Sequence, residues 1–303
     1  MNWWCSAQNV PWTWTWQAYP GVWLFVLALA GAYLAGLRWL RPPGVPAAEL
    51  GVPWRQRALF LLGVALLWAV ADWPVGVLAA GYLVSVHALQ NLVVTLAVPP
   101  LLLLGTPEWL ARETLRRLRL TGAVRLLTHP LAALAVVNGV LVVTHLPAVV
   151  DGVRGTQLGG FAVDVLWLFA GLVLWWPVAG PLPELNRLSP FWAMGYLFLQ
   201  SLVPTVPASF LTFAPYPIYG LYELAPRVHD ISARTDQQVA GLLMKLGGGF
   251  LLWGVIAVIF FRWAARDAGG PDGPPSRADV TRELADLGLL LDGRRGRRAR
   301  NGG

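Results

Sequence analysis

Long apolar runs separated by short polar stretches repeat along this chain, at about 21–40, 57–73, 76–98, 130–147, 161–180, 191–213 and 238–263. Each is near the ~20 residues a helix needs to cross ~30 Å of hydrocarbon, so the pattern predicts seven transmembrane helices. Pro99-Pro100 closes the third run, because proline cannot continue a regular helix, and Leu101 to Leu104 are then expected along the inner boundary. Thr106-Pro107-Glu108 reads as a helix start with proline at the first helical position. The stretch Trp109 to Leu127 mixes Leu with Arg as an interfacial amphipathic helix does. Trp12, Trp14 and Trp16, with Tyr216, Tyr219 and Tyr222, fit an aromatic belt at one membrane surface. Pro204 and Pro207 interrupt the sixth run and free carbonyls near Gln200 and Val203, which makes either a kink or part of a cavity. Gly247 to Gly249 permit close helix packing in the seventh.

Composition agrees with that pattern. The 303 residues are 56% hydrophobic and only 13% charged, about half the charge of an ordinary soluble domain. The expectation is an all-α integral membrane protein: an outer segment over 1–20, a seven-helix domain over 21–265, and a basic cytoplasmic tail over 266–303. Nineteen arginines fall on one side of the predicted spans against Arg154, Arg227 and Arg234 on the other. That bias places the N-terminus outside and the C-terminus in the cytoplasm. Loop arginines of this kind explain the net charge of +7 without nucleic acid, and the arginine cluster from Arg294 to Arg300 suits anionic lipid. No Lys or Arg occurs in residues 1–37, so no cleavable signal peptide is expected. A single cysteine, Cys5, excludes an internal disulfide.

The polar residues inside the apolar runs carry the functional signal, since ionisable groups in hydrocarbon are costly and normally face a bundle interior. His87, Gln90 and Asn91 share one helix face, about 11 residues into the third run. That face suits a metal ligand or an interhelical hydrogen bond equally well. His145, in His145-Leu146-Pro147 with Asp151 beyond, Asp164, the run Asp236-Gln237-Gln238, and Met244-Lys245 fall toward the outer side of three other runs. His129 and His229 lack partners by spacing.

Four stretches together resemble the CtaG-type cytochrome c oxidase assembly factors. They are His87-Ala-Leu-Gln90-Asn91 through Pro99-Pro100 to Pro107, His145-Leu146-Pro147 with Asp151, Trp175-Trp176-Pro177 to Pro181, and Asp236-Gln237-Gln238 through Met244. The resemblance covers roughly residues 55–265. It implies a multi-span protein of a bacterial plasma membrane that takes part in haem–copper oxidase maturation, with oxidase subunits as partners and copper handled on the outer side. His87, His145 and Met244 are then the expected copper ligands, supported by Gln90, Asn91, Asp164, Asp236, Gln237 and Lys245. Asn91 stands where the family tends to carry a second histidine, and Val163-Asp164 where it tends to carry Glu-His. Asparagine is a poor Cu(I) donor, so copper would rest on fewer ligands here. Asp164 and Lys245, both departures at similar predicted depth, are expected to pair.

A transporter or channel for copper or another small solute is the alternative reading, favoured by the broken sixth run and Lys245. No nucleophile, metalloprotease or paired-carboxylate motif is present, so no enzyme is expected. Bis-histidine haem ligation would need His87 and His145 at matched depth, which the runs do not indicate.

Overall fold

The computed structural model describes residues 2–42 and 50–268, and these are helical with no strand among them. Pro20–Trp39 (α1) and Trp54–Ala71 (α2) are straight spans. The third run divides into Val75–Gly81 (α3), Val84–Leu92 (α4), a π-helical turn Val93–Ala97 (π1) and Val98–Gly105 (α5). Glu108–Arg117 (α6) and Thr121–Leu127 (α7) lead to Pro130–Thr144 (α8), and Pro147–Val149 (α9) to a second π turn, Val150–Arg154 (π2). There follow Gln157–Ala179 (α10), Pro190–Leu202 (α11), Thr205–Phe213 (α12) and the short Gly220–Glu223 (α13). Ala233–Leu242 (α14), a third π turn Leu243–Gly247 (π3) and Gly248–Ala268 (α15) complete the described chain.

Among the described residues six helical stretches are long and apolar enough to cross a membrane, or seven if the bent pair α7–α8 counts as one. The third is Val84–Gly105, which corrects the expectation that Pro99-Pro100 ends it. The two prolines open α5, where their missing N–H groups cost least. Just before them, π1 shifts the hydrogen-bond ladder by one residue. Leu101 to Leu104 are therefore part of the span. Its beginning also moves, because the backbone is extended at Leu83 and separates α3 from α4. Pro107 caps α6 from outside rather than opening it, and Arg119 at φ 57° divides the amphipathic stretch into α6 and α7.

The chain divides after Ile256 into two compact units. In the first, Val26, Tyr33, Phe60, Val64, Leu67, Val94, Val98, Val163 and Trp167 form a continuous apolar core. Tyr33 stacks on Phe60 with ring centroids 3.8 Å apart and donates its hydroxyl to the Gly105 carbonyl at 2.9 Å. Gly171 lets α10 meet the proline segment, since a Cβ there would lie 2.5 Å from Pro99 Cγ and 2.6 Å from the Thr95 carbonyl. The described part of the second unit is helical and clusters Phe260 with Phe261 and Trp263. The basic tail beyond it, with its expected lipid contact, lies outside the described residues.

One end of the first unit carries the arginine-rich connections. Glu113 takes Arg116 at 2.7 Å and Arg117 at 2.6 Å, and these two guanidinium groups hold its carboxyl down at about 2. Arg112 bridges Glu108 and Glu184, each at 2.7 Å. Asn186 donates to the Arg125 carbonyl at 2.6 Å, tying the α10–α11 connection to α7. At the opposite end the N-terminal segment folds inward. Trp3 accepts the Gly21 amide on its carbonyl at 2.8 Å, and Trp4 is 1% exposed.

Candidate functional site

Starting α4 at Val84 changes where His87 sits. It lies in the first turn of the span, not halfway along it, and so shares a depth with His145, which closes α8. The two rings meet edge to face at 5.7 Å, a match in depth that the apolar runs do not indicate. Trp167 of α10 lies 5.0 Å from His87 and 6.2 Å from His145, and Tyr222 of α13 is 5.9 Å from His87.

These imidazoles are buried, His87 at 1% and His145 at 6% exposure. His145 Nδ1 is 2.8 Å from the Leu141 carbonyl. A carbonyl only accepts, so Nδ1 carries the proton and Nε2 presents its lone pair. That Nε2 has no partner, and neither nitrogen of His87 meets one in good hydrogen-bond geometry, although the Ala79 carbonyl, which accepts from Tyr222, also acts on that ring. Buried polar atoms are almost always paired, and several unpaired ones gather here: His145 Nε2 with Gln90 Nε2 and Arg154 Nε and Nη1.

Other buried polar groups lie on one side of the pair. Arg154, 1% exposed at the end of π2, donates from Nη2 to Gln90 Oε1 at 2.7 Å and lies 3.3 Å from Asp164 Oδ1. Its guanidinium also rests 5.6 Å from the Trp167 ring. Trp4 Nε1 donates to Asp164 Oδ2 at 3.0 Å. Gly160 makes this possible, because a Cβ there would lie 2.8 Å from Arg154 Nη1 and 3.4 Å from Trp4. The expected Asp164–Lys245 pair is thus corrected. Asp164 takes Arg154 and Trp4, while Lys245 donates to Thr205 Oγ1 at 2.6 Å.

The remaining expected residues hold the frame. Asp236 accepts the Val84 amide at 2.6 Å and also binds the Ser85 hydroxyl. It caps α4 from a neighbouring helix, where Leu83 at the cap position has no side-chain acceptor. Gln237 accepts the Ile218 amide at 2.6 Å and donates to the Leu211 carbonyl at 3.2 Å, clamping the loop before α13. Tyr219 and Tyr222 are buried rather than forming a surface belt, and they donate to the carbonyls of His145 at 2.9 Å and Ala79 at 2.6 Å. Tyr216 remains exposed. Met244 is buried in a cluster with Val84, Ala88, Val150 and Tyr222, near the histidine end of α4. Asn91 is buried with its Nδ2 unpaired and lines a separate cavity of about 60 Å³ with Asn138, Gln200, Met244 and Lys245. Cys5 donates its thiol to the Ala71 carbonyl at 3.3 Å, and burial pushes its pKa up, away from the thiolate a metal ligand needs. His129 and His229 join neither cluster.

Sequence reasoning missed Trp4, Arg154, Trp167, Tyr222, Asn138 and the side chain of Gln200. No group of three or more His, Cys, Asp or Glu side chains suited to a metal exists among the described residues. The donor set on offer is two imidazoles, which is within the range Cu(I) accepts, with a buried guanidinium close by.

These features define a multi-span, all-helical membrane protein with a buried histidine pair near one end of its bundle. The family described as cytochrome c oxidase caa3 assembly factor matches residues 31–266, and the chain belongs to it. No curated protein and no solved structure matches the chain.

Proposed function

We propose that this assembly factor handles Cu(I) for the oxidase through His87 and His145, without catalysing a reaction itself. The observation that carries the reading is the lone pair of His145 Nε2, unpaired and buried against the ring of His87. Cu(I) is satisfied by two nitrogen donors, whereas most divalent ions demand more ligands. Met244 is a soft donor close in the fold, available to a metal passing along α4.

Seven spans with α7–α8 as the bent one, an outer N-terminus and a cytoplasmic C-terminus put the histidine pair on the outer side of a plasma membrane. Arginine placement supports that topology, since the Arg112, Arg116 and Arg117 cluster lies at the end away from the histidines. The partner is an oxidase subunit that receives copper.

The test is oxidase maturation in cells whose own copy is deleted and replaced by the His87→Ala/His145→Ala variant. The expected result is normal oxidase protein that lacks copper and activity, restored by excess copper in the medium. Full copper loading with the variant would contradict the reading. Purified protein in sealed vesicles separates the alternative, because a transporter would show net copper flux and a handling factor only binding.

A further inference from the structure

Lys245 is the only lysine of the chain, and it is spent on a single neutral hydroxyl. It lies in π3, and no carboxylate among the described residues pairs with it. Its bond to Thr205 fixes its depth. Thr205 stands eight residues before the end of the α11–α12 span at Phe213, about 12 Å along the helix from that end at 1.5 Å per residue. An ammonium group at that depth is normally paired with another charge or with backbone carbonyls.

The surroundings show from which side a partner can come. The 60 Å³ cavity where α4, α8, α10, α11 and π3 meet is walled by Trp167, Met244 and Gln200, all 3% exposed or less. Lys245 is the one lining residue that is exposed, so it stands at the side opening. Asn91 Nδ2 and Asn138 Oδ1 lie within that lining without partners. One turn on from Lys245, Gly249 would meet nothing with an added Cβ, and Gly195 on α11 is equally open. Between them Phe198 and Trp253 meet edge to face at 5.7 Å. Small residues of this kind allow a foreign helix close approach.

We infer that this face is a docking surface for a transmembrane helix of a partner protein that presents an Asp or Glu to Lys245 within the bilayer. Depth and charge choose the occupant. A lipid keeps its anionic headgroup at the interface, beyond the end of the span, whereas a helix carries its carboxylate to any depth. The inference concerns Lys245 and stands apart from the histidine pair, so failure of the copper reading leaves it intact.

The test co-reconstitutes the donor-labelled protein with acceptor-labelled polyleucine helices that carry Asp, Asn or Leu at the matching depth, and reads energy transfer. The Asp helix is expected to associate at least tenfold more tightly than the Leu helix, with the Asn helix near Leu. Lys245→Met should abolish the preference for Asp. Lys245→Glu should move it to a helix carrying Lys, which a merely misfolded variant could not do. Equal association of the Asp helix with wild type and Lys245→Met, or no preference for Lys with Lys245→Glu, would overturn the inference.

Discussion

Arg154 and Asp164 lie 3.3 Å apart with side chains 1% and 6% exposed, and each is buried because the other is. Removing one charge strands the other, which costs about 3–5 kcal/mol in a buried pair, whereas exchanging both for apolar residues is often far cheaper. Asp164→Leu and Arg154→Met should each destabilise by roughly that amount. The double variant should recover most of the loss. Unfolding in mixed micelles checks this, and additive losses would show that the pair is uncoupled.

Asp236 acts as a helix cap. Asp236→Ala should cost about 1–2 kcal/mol by leaving the first amides of α4 unpaired, and Asp236→Asn should keep much of that stability. Since the carboxylate binds Val84 and Ser85, not the histidines, Asp236→Asn should leave copper affinity within about threefold. A tenfold loss of affinity in a stable Asn variant would make it part of the metal path.

Gly171 permits the contact that lets two prolines run inside a span. In Gly171→Ala the new methyl meets the Thr95 carbonyl, which is backbone and cannot rotate away. The expected loss is about 1–3 kcal/mol, as for overpacked cores, with no change in copper stoichiometry. Unfolding and metal titration of the same preparation read both parts.

Acid should loosen the connection that holds α6. The Glu113 carboxyl sits at about 2, below its ordinary 4.5, because Arg116 and Arg117 bind its charged form. A depressed carboxyl stabilises fully above 4.5, and the contribution fades as pH falls toward about 2. Wild type should therefore lose stability relative to Glu113→Gln across that window and keep its advantage at neutral pH. Parallel stability curves for the two proteins would contradict the assignment.

Much of this was legible before any coordinates. Apolar runs located the spans, and four ordered stretches carried the family resemblance that the match over 31–266 bears out. Local hydrogen bonding was not legible. The three π turns change which residues face inward, and hydropathy is blind to them because Val93–Ala97 and Leu243–Gly247 read as ordinary apolar helix. The break at Leu83 is equally apolar, so counting from residue 76 placed His87 too deep. A charge census places Arg154 among the outer loop charges, because it takes arginine to be solvated; nothing in spacing shows that Asp164 and Gln90 draw it inside. Trp4 was hidden among neighbouring tryptophans, most of which do lie at the surface.

The central claim, that His87 and His145 form a Cu(I) site, is tested most directly by titrating the detergent-solubilised protein with Cu(I) against a competing chelator. Wild type should bind close to one equivalent. His87→Ala and His145→Ala should each weaken binding by at least tenfold, or about 1.4 kcal/mol, with the fold intact. No binding by wild type, or binding that survives both substitutions, would contradict it.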